Sequence, residues 1–243
     1  MKENKQSSTA ILQETSHRPW PLSTEPWKFY QEWMHVLFLH WKVELQDLQP
    51  FVPKNLEIDL HDGNAWVSLV AFDMKHVCPR FLPAFPPVSN FHALNLRTYV
   101  RYQKKAGVYF LSIEASKLLS TWAAKWISRL PYRFSEMKRT IGYFNSFNKF
   151  TKERLSLRYE LGNPISDKSD VDRWLTERYV LFQDTEEKIN QYDIHHLQWP
   201  LRTAKILHLD LHYPGFKTLF QGEPTKVHYS PGVQVLAWDR EDF

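Results

Sequence analysis

Asn95, Arg97, Tyr99 and Arg101 stand at every second position of the run Asn95-Leu96-Arg97-Thr98-Tyr99-Val100-Arg101-Tyr102. In an extended chain successive side chains point to opposite faces, so these four share one side and Leu96, Thr98, Val100 and Tyr102 the other. Amide, guanidinium and phenol groups in one row can hold a carboxylate or a carbonyl. The same row can be a solvated strand face, and the spacing leaves both readings open. A buried Arg97 requires an anionic partner or several carbonyls, since an unpaired buried charge costs several kcal/mol. Glu114, at the end of the next strand, or the carboxylate of a ligand would supply one.

Other constellations carry less. His208, Asp210 and His212 alternate with Leu207, Leu209 and Leu211. As a strand this puts the two histidines on one face but ~13 Å apart, too far to share an ion. His195 and His196 are adjacent, so in a strand they point to opposite sides and cannot chelate without a bulge. His40, inside Val36-Leu37-Phe38-Leu39-His40-Trp41, is a candidate ligand or acid/base group whose ordinary role is that of a hydrogen-bonded core histidine. There is no Gly-x-Ser-x-Gly elbow, and Cys78 beside Pro79 has no sign of activation. Glu114 and Glu136 are the acids to watch, with exposure or ion pairing as their default. No metal site and no cofactor are called for.

The elements that must position these residues are mostly short strands. Residues 32–43 read as a strand, and 45–51 as a helical turn stopped by Pro50. Residues 56–60 and 65–74 flank His61-Asp62-Gly63-Asn64, whose Asp-Gly predicts a hairpin because glycine accepts positive φ. The second of these strands, apolar on both faces, belongs at the centre of a sheet. Residues 78–90 form a proline-rich excursion, a lid over a pocket or a packed surface loop.

The Asn95 strand returns through Gly107-Val108-Tyr109-Phe110. Between 117 and 129, Leu118, Leu119, Trp122, Ala123, Trp126 and Ile127 recur at helical spacing, and Leu130-Pro131 ends that helix. Strands follow over 132–150 and 154–161. A short helix over 167–177 has Ser169 or Asp170 as N-cap, and further strands cover 178–183, 189–197 and 201–213. A final pair, 227–230 and 233–238, is joined at Pro231-Gly232. Residues 1–25 read as a flexible N-terminal lead-in and 26–243 as a single domain.

Composition narrows the classes. Of the 243 residues 15% are aromatic, so large flat side chains must build much of the core. Seven Gly against fifteen Pro argue against a phosphate-cradling loop. The net charge of +4 is interleaved rather than clustered, so nucleic acid is not an expected partner. One Cys excludes an intramolecular disulfide and fits a reducing, cytoplasmic location. No segment approaches the ~20 apolar residues that span a bilayer, and no signal core precedes the domain. Exposed strand edges and the proline-rich excursion leave homo-oligomerisation open.

Several motifs are shared with a known group. Trp33 with Phe38-Leu39-His40-Trp41, Asp59 with Asp62-Gly63-Asn64-Ala65-Trp66-Val67, Asn95-Leu96-Arg97-Thr98-Tyr99-Val100, Gly107-Val108-Tyr109-Phe110, Leu130-Pro131-Tyr132 and Tyr229-Ser230-Pro231-Gly232-Val233 with Trp238 resemble, in order and spacing, the YqjF-like family of uncharacterised proteins. The resemblance covers roughly 26–238. It implies the fold of acetoacetate decarboxylase: α+β but predominantly β, an antiparallel cone-shaped β-barrel with a central cavity and a few packed helices. In that enzyme a lysine of lowered pKa forms a Schiff base with a keto acid. The closest local similarity sets its Pro-Lys-Lys against Pro131-Tyr132-Arg133, so the nucleophile is missing here. Relatives often carry Glu two residues before Asn95, where this chain has Ala93, which weakens an acid/base scheme. Lys138, six residues beyond Tyr132, reads as a surface lysine.

These readings converge on an expected barrel that binds a small anionic or carbonyl-bearing organic molecule. Asn95, Arg97, Tyr99 and Arg133 would be polar anchors, Trp66, Tyr109 and Trp122 walls, and Glu114 and Tyr132 further ligand-binding residues. The alternatives are a decarboxylase- or aldolase-like enzyme using another lysine, and a structural or interaction protein whose barrel is filled by its own aromatics.

Overall fold

A computed structural model describes residues 8–117, 130–185 and 188–242. β-Branched and aromatic residues concentrate in long runs, and those runs form the strands. β1 (Phe29–Val43), β3 (Ala65–Pro79), β4 (Phe91–Tyr102), β5 (Lys105–Ala115), β10 (Val180–Thr185), β11 (Lys188–His196) and β13 (Lys226–Asp242) follow one another as hydrogen-bonded neighbours, and β13 pairs back onto β1. This closes a seven-stranded barrel, so none of these strands is left with an open edge inside the ring. The pairings are antiparallel except β5–β10, which is parallel with Leu181 opposite Val108 and Phe182 opposite Tyr109.

β13 also pairs with β12 (Arg202–His212), which leads through β9 (Arg154–Pro164) and β8 (Tyr143–Phe147) to β7 (Glu136–Thr140). This extension supplies Phe144, Leu155, Leu157 and Tyr159 to an apolar cluster with Leu37, Leu39, Leu69, Leu94 and Leu96. Their strand neighbours Val36, Phe38, Val70 and Ala93 belong to a second cluster inside the barrel. Period-two alternation in β1, β3 and β4 thus feeds two cores, which is why β3 is apolar on both faces.

Several expectations change. The Asp62-Gly63 turn forms with positive φ at both residues, but the flanking strands do not make a hairpin: β2 (Glu57–Ile58) pairs with β4, and only the His61–Asn64 bridge spans the turn. Pro231-Gly232 is no hairpin either, because β13 runs through it. Gly232 has φ of +135°, and a Cβ there would strike the Trp33 carbonyl oxygen and Met34. Gly232 pairs with Met34, and the next residue, His35, sits at a register break in β1 with φ of 52°. The bulge and the glycine together bend the strand without ending it.

From Ser8 onward the lead-in packs against the barrel, contrary to a loose segment. Helix α1 (Ser8–Gln13) buries Ile11, whose carbonyl accepts from His195 Nε2 at 2.8 Å, and Arg18 Nη1 donates to the Ile194 carbonyl at 2.7 Å. Of the other helices, α2 (Leu45–Leu48) is the expected turn before Pro50 and α3 (Pro86–Ser89) a single turn in the proline-rich excursion. α4 (Asp170–Thr176) carries a complete capping box between Ser169 and Asp172. The helix expected over 117–129, with Trp122, falls on 118–129, outside the described residues. Among the described residues no helix is long and apolar enough to cross a membrane.

Candidate functional site

The described side chains do not fill the barrel. It encloses a cavity of about 400 Å³ whose walls include Trp33, Phe38, Phe72, Phe110, Leu181 and Trp199. These come from β1, β3, β5, β10 and the segment after β11; strand alternation turns the strand residues inward, with the register break at His35 resetting it between Trp33 and Phe38. At one end the lining passes Phe29, Cys78, Pro79, Asp239 and Arg240, where β1, β3 and β13 begin or end, and reaches Val88 and Ser89 of α3. Farther in, the lining turns polar at Asn95, Arg97, Thr176, Arg178 and His196.

The two arginines differ in their partners. Arg178 Nη1 donates to Asp59 at 2.8 Å and its Nε to the Trp174 carbonyl at 2.6 Å, while its plane lies over the Trp174 ring at 4.4 Å. Arg97 has no acidic side chain within ion-pair distance among the described residues. Its one hydrogen bond runs from Nη2 to the Leu175 carbonyl at 3.3 Å, its Nε has no acceptor, and the Phe38 ring lies 5.5 Å from the guanidinium carbon. Arg97 is nonetheless only 8% exposed. Among the described residues the neighbouring Asn95 Oδ1 is buried without a donor, and Arg178 Nη2 without an acceptor. Asp59 balances one of the two guanidinium groups, and the other charge is left uncompensated. His196 adds none, since burial pushes its pKa down to about 4.

Beneath this polar end runs a buried chain of hydrogen bonds. Asp172 contacts His228 Nε2 at 2.9 Å, His228 Nδ1 contacts His40 Nε2 at 3.1 Å, and His40 Nδ1 contacts Ser68 Oγ at 2.6 Å. Ser68 Oγ lies 2.6 Å from the Tyr99 hydroxyl, which donates to the Leu175 carbonyl at 2.9 Å. Burial raises the Asp172 pKa, but hydrogen bonds from Lys226 and Ser169 outweigh it and hold the carboxyl well below its usual range. Burial lowers both histidines, aided at His40 by His228 and Arg97. Ionised Asp172 therefore fixes the direction: His228 donates to it, His40 donates to His228, and Ser68 donates to His40. The chain ends where the Tyr99 hydroxyl donates to the Leu175 carbonyl, which Arg97 also holds. His40 is thus a hydrogen-bonded core histidine.

Of the expected ligand-binding residues, Asn95, Arg97 and Tyr132 meet at the cavity. Trp66 and Tyr99 point into the barrel core without lining the cavity. Tyr109 lies on the opposite face of β5, where its hydroxyl donates to Asp184 at 2.6 Å. Glu114 and Arg133 also lie away from the cavity, and Glu114 does not pair with Arg97. Glu114 accepts from Ser135 and from the Tyr213 hydroxyl at 3.2 Å, and burial with nearby Glu153 lifts its pKa to about 6 despite the Ser135 bond. Arg133 pairs with Glu153 at 3.0 Å and donates to Ser112. Trp122 lies outside the described residues.

Sequence reasoning missed Thr176, Arg178, Trp33, Trp199 and His196. Trp33 stands five residues before Phe38, so strict alternation puts the two on opposite faces, and only the register break at His35 turns both inward. Arg178 and Thr176 depend on where α4 docks, which no local pattern reports. Among the described residues no lysine lines the cavity, and no three His, Cys, Asp or Glu side chains converge as a metal site.

A closed β-barrel with a polar-ended central cavity places the molecule among acetoacetate decarboxylase-like folds. An acetoacetate decarboxylase structure superposes with a TM-score of 0.64 at 11% identity, covering 98% of both chains. The acetoacetate decarboxylase of Legionella pneumophila gives 0.62 at 13% identity over 100% of this chain and 98% of its own. The enduracididine biosynthesis enzyme MppR, complexed with pyruvate, gives 0.62 at 12% identity over 93% of each. At these identities the likeness is one of fold.

The chain itself belongs to the DUF2071 family, described as an uncharacterized conserved protein, which matches residues 30–234. The uncharacterized protein YqjF of Bacillus subtilis (strain 168) is 35% identical over 224 residues, covering 87% of this chain and 91% of that protein.

Proposed function

We propose that the barrel binds a small organic carboxylate, with Arg97 holding the carboxylate and the side-chain amide nitrogen of Asn95 donating a further hydrogen bond to it. The observation that carries this reading is a buried Arg97 beside an open cavity with no acidic partner among the described residues. A charge so placed costs several kcal/mol unless a counterion arrives, and a carboxylate takes a guanidinium in charge-assisted hydrogen bonds. MppR, of similar fold, is complexed with pyruvate, which agrees with this class of ligand. We place the protein in the cytoplasm on its single cysteine.

The test is a panel of monocarboxylates, from pyruvate to 3-phenylpropanoate, titrated calorimetrically into the wild-type protein and Arg97→Met. At least one acid should bind, and the substitution should weaken it by tenfold or more with the circular dichroism unchanged. Equal affinity in the variant overturns the assignment.

A further inference from the structure

We infer that the ligand is a monocarboxylate with a bulky apolar body, not a short keto acid and not a dianion. This deepens the preceding reading of Arg97 and rests on it. Three observations carry it. First, the cavity of about 400 Å³ has room for on the order of a dozen non-hydrogen atoms, well beyond a short keto acid. Second, the charges at its polar end leave one guanidinium unbalanced, since Asp59 is taken by Arg178 and, at its other oxygen, by Arg101 at 2.7 Å. One surplus positive charge matches one carboxylate. A second carboxylate or a doubly charged phosphate at the polar end would meet no further cation there among the described residues, since the remaining arginine of the walls, Arg240, stands at the mouth beside Asp239, and it would lose its hydration in a largely apolar site.

Third, among the described residues the lining outside the polar end and the mouth is mostly aromatic and aliphatic, with Gln31, Tyr132 and Tyr192 as its polar members. Trp33 and Trp199 stack with ring centroids 6.1 Å apart, Phe38 meets Trp199 edge-on, and Val70, Phe72 and Ile113 complete the walls. The one histidine of the lining among the described residues, His196 at the polar end, is held neutral by burial. At the mouth, the shallow groove of Trp27, Arg80, Phe81 and Leu82 shares Phe29, Pro79 and Asp239 with the cavity. Phe81 and Phe85 are 88% and 65% exposed. An apolar body therefore meets aromatic and aliphatic surface past the charged rim of Arg80, Asp239 and Arg240.

Octanoate, butyrate, pyruvate, suberate and 1-octanol separate the possibilities, with binding read by quenching of Trp33 and Trp199 and by calorimetry. Each buried methylene adds about fourfold in affinity, so octanoate, with four more, should bind about 250-fold more tightly than butyrate. It should exceed suberate and 1-octanol by tenfold or more. Val77→Trp, at the outer wall, should weaken octanoate at least tenfold and leave butyrate unchanged. Butyrate or pyruvate binding as tightly as octanoate, or suberate binding as well, overturns this inference while leaving the carboxylate reading intact, provided Arg97→Met abolishes that binding. If 1-octanol equals octanoate, or octanoate binding survives Arg97→Met, the carboxylate reading falls and this inference with it.

Discussion

Arg97 and Arg178 lie at the same end of one cavity, yet they should respond oppositely to loss of charge. Arg178 is ion-paired with Asp59, both nearly inaccessible. Removing the acid leaves a buried guanidinium uncompensated, so Asp59→Asn should lower the unfolding free energy by about 3 kcal/mol. Arg97 has no acid to lose. Replacing it with Met removes a buried charge and keeps most of its volume, so Arg97→Met should leave stability unchanged or raise it by about 1 kcal/mol. Urea denaturation of the two variants checks this, and a large loss of stability in Arg97→Met would show that the guanidinium is satisfied within the fold. Asn95 and Arg97 were legible in the sequence because strand alternation fixes which side chains share a face. The same rule put Tyr99 and Trp66 on the inner face but could not say how deep the cavity reaches. Arg178 was not legible, because its place depends on a long-range pair with Asp59, 119 residues away.

At the level of elements, the barrel depends on a seam that local patterns do not reveal. β5 and β10 are parallel neighbours joined at two residue pairs, with β6 (Arg133–Phe134) through β9 and α4 lying between them in the chain. A parallel partner carries no turn signature, whereas Asp62-Gly63 and Pro231-Gly232 carry strong ones and still do not join paired strands. A turn residue fixes the backbone at its own position, and burial decides which strands pair. Gly107 shows why the seam is tight: an added Cβ would lie 2.5 Å from the Val180 carbonyl oxygen and from its side chain, and 2.9 Å from Phe182. Val180 is fully buried and cannot step aside. Gly107→Ala should therefore destabilise the protein by about 2 kcal/mol or more, although alanine normally favours order over glycine. Thermal melts should place its midpoint well below wild type. Ser169→Ala offers a milder comparison, since loss of the capping box should cost about 1 kcal/mol while α4 keeps its packing through Leu175.

At the scale of the whole molecule, the buried titratable groups make stability depend on pH in a definite direction. His40, His195, His196 and His228 all have pKa values lowered by burial, to about 4 for His195 and His196. In the unfolded chain each takes a proton near pH ~6.5, while the native protein does not. Below that pH the unfolded state binds more protons, so stability present at neutral pH is lost as the pH falls. Glu114 acts against this trend. Its pKa is raised to about 6, so between that value and its unfolded value the native state holds a proton that the unfolded chain lacks. Four histidines less one carboxyl leave a net uptake of up to roughly three protons on unfolding near pH ~5. The slope is then about 4 kcal/mol per pH unit at most, from about 1.4 kcal/mol per proton. Asp73 and Asp172, both held below the usual carboxylate range, add to the loss only at lower pH, where unfolded aspartates protonate. Urea midpoints measured from pH 7.5 to 4.5 should be flat at the upper end and fall steeply below about pH 6.5. Glu114→Gln, which removes the opposing proton, should steepen that fall by about one proton. A midpoint that is constant across this range, or that rises as the pH drops, would mean that the histidines are charged inside the folded barrel and that the polarity assigned to the Asp172–His228–His40–Ser68–Tyr99 chain is reversed.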